Sequence, residues 1–143
     1  FRGNVKSKKT PQPITMKTTT LDIELKKNKF DNPKLIKVDT EGADQRVLEG
    51  ARNFLKKTKV PFVISELHVF GLKKMGCSQE SFREFMESLG YSTFILSSKY
   101  ALPKLIPSKT KIESEFIVNI LFSTPHALSE YWPIEIAPPS GMQ

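Results

Sequence analysis

Between Leu35 and Lys57 the spacing of apolar residues changes period. Leu35, Ile36 and Val38 make a short apolar run broken only by Lys37, the pattern of a mostly buried strand. From Ala43 the apolar residues fall at Val47, Leu48, Ala51, Phe54 and Leu55, a spacing that puts them on one face of a helix. The join is Asp39-Thr40-Glu41-Gly42, so two carboxylates and a glycine sit where a strand ends and a helix begins. In open α/β sheets that edge is where ligands bind, because the strand C-termini leave a crevice there. Asp44 in the first helical turn and Lys56 and Lys57 in the last complement the helix dipole.

The same reading extends in both directions. Residues 1–13 are polar and basic with two prolines, and are expected to form a loose lead-in. Ile14 to Thr20 suits a short strand or extended segment, and Leu21 to Lys27 makes two helical turns with Thr20 as N-cap. Pro61 ends the central helix, and Phe62 to Leu67 is a second buried strand. Strand, helix and strand then form a βαβ unit, whose crossover is parallel and right-handed. A loop with Gly71 and Gly76 leads to Ser78, which caps a helix with a buried stripe of Phe82, Phe85, Met86 and Leu89. Gly90 fits the left-handed position at its end.

Tyr91 to Leu96 is the third strand, and Lys99 to Glu115 is a long connection containing Pro103 and Pro107. Connections of that length are uncommon unless functional or mobile. Phe116 to Phe122 is the last strand, antiparallel to the one before it, and a proline-rich tail follows whose Tyr131, Trp132 and Ile134 dock on the body. The expected fold is three-layer α/β, with a parallel core at 35–39 and 62–67 and the last strand antiparallel. The strand at 35–39 is expected at an exposed edge, open to self-association.

Composition narrows the function classes. The chain has 143 residues, enough for one domain, with 38% hydrophobic and 26% charged residues. No apolar run approaches the ~18 residues needed to cross a bilayer. The N-terminus has no apolar core and is not a signal peptide, and because the chain begins at Phe1 an upstream segment is expected. The single Cys77 excludes an intrachain disulfide and gives no thiolate metal site. The net charge of +7 would suit phosphates, nucleic acid or an anionic membrane surface, but the lysines are dispersed and not interleaved with aromatics. They read as a solvated surface, so no nucleic-acid partner is expected.

The segment KVDTEGADQRVLEGA (37–51) resembles the K-[IV]-D-x-E-G-[AS]-[DE]-x-x-[VI]-L-x-G-A signature of FkbM-type methyltransferases, which use S-adenosylmethionine. Thr19-Thr20-Leu21-Asp22 is similar to that family's T-L-D segment, and Pro61 to Glu66 (PFVISE) to its next strand, which ends in glutamate. The matches run in order over about Thr18 to Phe122. The resemblance implies a Rossmann-like methyltransferase fold, with 14–125 as the C-terminal part of the domain between the lead-in at 1–13 and a tail at 126–143. It also implies that Asp39 faces the donor methyl and the acceptor, where its carboxylate would position the acceptor, act as base or hold a divalent metal, against a purely structural role in the turn.

Glu41 is a second candidate contact to the donor, against the simpler role of bonding free N–H groups at the helix start. Glu66 and His68, two residues apart in extended chain, point to the same side and flank the same crevice. Glu66 would orient His68 while the imidazole, the side chain that titrates near neutrality, accepts the substrate proton, against the simpler role of an ordinary hydrogen-bonded histidine. His126 and Cys77 match no motif and are read as structural or incidental.

The chain contains no G-x-G, whereas the family's donor site relies on a glycine-rich loop after its first strand and an acidic residue after its second. The chain therefore resembles the C-terminal half of the domain, and alone is not expected to bind the donor well or to turn over. The expected function is S-adenosylmethionine-dependent methyl transfer to a hydroxyl of a small molecule or glycan, as part of a larger domain. The alternatives are a non-catalytic interaction domain with this fold and a basic phosphate- or nucleic-acid-binding module.

Overall fold

In the computed structural model, which describes residues 14–96, 102–114 and 117–132, the segment before the central strand is helix α1 (Leu21–Lys27). Thr20 caps it, its side chain accepting from the Ile23 backbone N–H. Strand β1 (Leu35–Val38) follows, then helices α2 (Asp44–Glu49) and α3 (Arg52–Thr58), then strand β2 (Phe62–Leu67). Helix α4 (Val69–Lys74) leads to α5 (Gln79–Ser88), and strands β3 (Ser92–Leu96), β4 (Lys104–Ile106) and β5 (Val118–Ser123) precede helix α6 (Pro125–Tyr131). None of the described helices is long and apolar enough to cross a membrane.

The strands form one open sheet in the order β1-β2-β5-β3-β4. β1 and β2 run parallel, with Leu35 beside Phe62 and Val38 beside Ser65. β5 is inserted antiparallel between β2 and β3, so Glu66 faces Asn119 and Phe94 faces Leu121. β4 closes the far edge antiparallel to β3. The fold is mixed α/β with one parallel pair, and the last strand is antiparallel as expected. β1 lies at the terminal edge, where Leu35 remains 52% exposed.

The pleat sorts the side chains. In β2, Val63, Ser65 and Leu67 are buried and alternate with half-buried Phe62, Ile64 and Glu66. Val63 and Leu67 join Val38, Ile120 and Phe122 from the sheet and Leu48, Leu55, Leu72, Phe82 and Met86 from the helices in one core. On the opposite face Trp132, just past α6, meets Phe62 edge-on with ring centroids 5.6 Å apart.

Several expectations are corrected. The single helix from Ala43 is two, because α1 intrudes at Gly50. The Asp22 N–H donates to the Gly50 carbonyl at 2.8 Å, drawing that carbonyl out of a helical ladder. The Asp22 carboxylate then accepts from the backbone N–H groups of Asn53 (3.2 Å) and Phe54 (2.8 Å), capping α3 from a distant part of the chain. Of the two alternatives for residues 14–20, the strand is not formed; the segment lies exposed, with Thr20 in extended geometry. The expected loop around Gly71 is helix α4.

The long connection before β5 contains β4 and is tied down by α5. Buried Arg83 donates to Thr93 Oγ1 at 3.2 Å and to the carbonyls of Ile106 (3.2 Å), Pro107 (2.8 Å) and Thr110. Gln79 exchanges two bonds with the Ile112 backbone, at 3.3 and 2.9 Å. Past β5, residues expected only as a tail form α6, with Thr124 accepting from the Ala127 N–H and Pro125 in the first turn. The lead-in at 1–13 and the docking of Ile134 lie outside the described residues.

Candidate functional site

The parallel pair sets the site, because two parallel strands deliver their C-terminal ends to the same side. One step past the Val38–Ser65 pair stand Asp39 and Glu66. Asp39 is exposed, and its Oδ2 accepts from Lys37 Nζ at 3.1 Å along the edge. An exposed pair of this kind contributes little to stability.

The chain then turns through Glu41 and Gly42, both with positive φ, at 54° and 105°. A side chain in that region costs of order 1–3 kcal/mol, so the surroundings must hold Glu41 there. Asp44 does this. It is fully buried, its Oδ2 accepting from Thr40 Oγ1 (2.9 Å) and the Gly42 N–H (3.2 Å), and its Oδ1 from Ser65 Oγ (2.8 Å). The dipole reading of Asp44 is thus too small a role. Its carboxylate fastens the turn to the neighbouring strand.

The turn in turn seats α4. A Cβ on Gly71 would lie 2.4 Å from the Glu41 carbonyl oxygen and 2.5 Å from His68 Nδ1, so only glycine allows this approach. His68 occupies the N-cap of α4 with φ −99° and ψ 83°, outside the strand geometry of Glu66. Its Nδ1 is buried without a hydrogen-bond partner among the described residues and lies 3.7 Å from Glu41 Oε2. The side chains of His68 and Glu41 are 26% and 76% exposed.

The structure therefore brings Asp39, Glu41, Glu66 and His68 to one end of the sheet. The carboxylate beside His68 is that of Glu41, not Glu66, because the chain leaves the strand between Glu66 and His68. Glu66 stands in register with Asn119 on β5. Among the described residues no group of three or more His, Cys, Asp or Glu is arranged to hold a metal. The cavity of about 630 Å³ between α1 and α3, lined by Ile23, Phe30, Phe54 and Lys57, involves none of these residues. His126 is exposed on α6 and pairs with Glu130 at 3.2 Å, while Cys77 is a half-buried free thiol.

Reasoning from the sequence missed Asp44, Ser65 and Gly71 as parts of the site. The available signals were an acid two residues after the left-handed glycine and a glycine three residues after the histidine.

A family model described as Methyltransferase FkbM domain matches residues 2–93. The match includes Asp39, Glu41, Glu66 and His68 and ends inside β3, short of the Phe122 limit expected from the motifs. No curated protein and no solved structure matches the chain.

Proposed function

The chain belongs to the FkbM methyltransferase family, and from that premise we propose that it carries the acceptor side of a site for S-adenosylmethionine-dependent methyl transfer, with a hydroxyl of a small molecule or glycan as acceptor. The observation that supports this reading is the gathering of Asp39, Glu41 and His68 at the C-terminal end of the only parallel strand pair among the described residues.

When bound, S-adenosylmethionine supplies a sulfonium methyl, which forms a bond to the acceptor oxygen as its bond to sulfur breaks and a neutral thioether leaves. The residues here must place the acceptor oxygen in line with that methyl and take up the hydroxyl proton. Asp39 and Glu41 present exposed carboxylates that fit polar N–H and O–H groups of the donor from one side. Asp39 also positions the acceptor hydroxyl. His68 is the proton acceptor, with Glu66 on the adjacent strand end as a further polar contact.

The glycine-rich part of the donor site is taken to lie outside this chain, which has no G-x-G. In this reading the sheet is Rossmann-like and continues beyond the free edge of β1, and the chain alone does not turn over. Donor-binding calorimetry and methyl-transfer assays on the full-length protein test the proposal. Asp39→Asn and His68→Ala each lower turnover by about 10²-fold or more, with much smaller changes in donor binding. Absence of donor binding to the full-length protein would instead support a non-catalytic interaction domain, and wild-type turnover of Asp39→Asn would remove Asp39 from the mechanism.

A further inference from the structure

A fully buried carboxylate with no cationic side chain paired to it among the described residues requires a reason, and Asp44 is such a group. Burial of an unpaired charge is costly unless donors surround it. Those donors come from two places. Thr40 and Gly42 flank Glu41 on either side, and Ser65 belongs to β2. One carboxylate thus grips the turn on both sides of its left-handed residue and binds it to the strand that leads to His68.

The consequence reaches the imidazole. With Glu41 fixed, Gly42 packs on Gly71, and α4 comes to rest with His68 Nδ1 facing Glu41 Oε2 at 3.7 Å. That distance is just beyond hydrogen-bond reach, and the Glu41 side chain beside it is exposed. The Nδ1 atom is buried with no other partner among the described residues, so within them a proton on Nδ1 has this carboxylate to meet. In an imidazole, the bond made by one nitrogen decides which nitrogen keeps its lone pair.

We infer that Asp44 is a positioning residue. By holding the Thr40–Gly42 turn to Ser65, it sets Glu41 against Nδ1 of His68, and so leaves Nε2 as the atom that receives the acceptor's proton. The last step rests on His68 as the base proposed above, whereas the positioning stands without it. A merely structural Asp44 would support the fold and leave the tautomer of His68 untouched.

The chain contains two histidines, so imidazole ¹⁵N spectra show two rings, and His126→Gln assigns them. In the unsubstituted chain at alkaline pH, neutral His68 should carry its proton on Nδ1. In Glu41→Ala and in Asp44→Ala it should move to Nε2. If Asp44→Ala does not fold, Ser65→Ala and Thr40→Val each remove one of the donors and should shift the tautomer population part of the way. A His68 that carries its proton on Nε2 in the unsubstituted chain overturns the inference. So does a folded Asp44→Ala, or failing that both milder variants, with the tautomer unmoved. Full turnover by His68→Ala in the full-length protein, with the tautomer following Asp44, would remove the base role alone.

Discussion

Gly42 and Gly71 touch backbone to backbone, with no room for a methyl group on either. A Cβ on Gly42 would lie 2.3 Å from the Gly71 carbonyl carbon, and one on Gly71 would lie 2.9 Å from Gly42 Cα. Gly71→Ala should therefore destabilise the chain by about 2–3 kcal/mol, the upper part of the range for overpacking. Gly42→Ala should cost more, because its φ of 105° adds backbone strain. Urea unfolding of both variants measures this, and a loss under about 0.5 kcal/mol for Gly71→Ala would show that the turn and α4 separate easily.

Asp22 should behave as a remote helix cap. Its carboxylate accepts from the Asn53 N–H, the Asn53 side-chain amide (2.9 Å) and the Phe54 N–H. Asp22→Ala should cost about 1–2 kcal/mol, and Asp22→Asn less, since one acceptor oxygen remains. Hydrogen exchange should accelerate first at the N-terminal amides of α3. Equal exchange in α3 before and after Asp22→Ala would contradict the cap.

Tyr91 is buried, and its hydroxyl has no hydrogen-bond partner among the described residues. Burial pushes its pKa up to about 12, above the ~10 of an unfolded tyrosine. The folded state holds the proton more tightly, so this contribution is complete below pH ~10 and declines as pH rises towards the folded value. Tyr91→Phe should flatten the alkaline limb of the stability profile. At neutral pH it should be neutral or stabilising by up to about 1 kcal/mol, because an unpaired buried hydroxyl is removed. Clear destabilisation at pH 7 would reveal a partner for the hydroxyl.

The outer edge of β1 has no partner strand among the described residues. Unpaired edges template association, although Lys37 and the short length of the strand oppose it. Sedimentation velocity on concentrated protein should detect a reversible dimer, and Leu35→Lys should weaken it while preserving the fold. A single monomeric species throughout the concentration series would discard this expectation.

Local chemistry was enough to read most elements from the sequence. The change of period between Val38 and Val47, the serine cap at Ser78, the Phe82-Phe85-Met86-Leu89 stripe and the left-handed Gly90 each act within a few residues of chain, and each is found in place. The placement of Asp39, Glu66 and His68 at or just past strand ends was legible for the same reason, since it follows from where each strand stops. What lies between distant segments was not legible. The break at Gly50 depends on Asp22, the order of the long connection depends on Arg83 and Gln79, and the approach of Glu41 to His68 depends on Gly42 and Gly71. Period and propensity describe a residue's own turn or strand, whereas a buried carboxylate such as Asp44 takes its role from donors that only the folded chain brings to it.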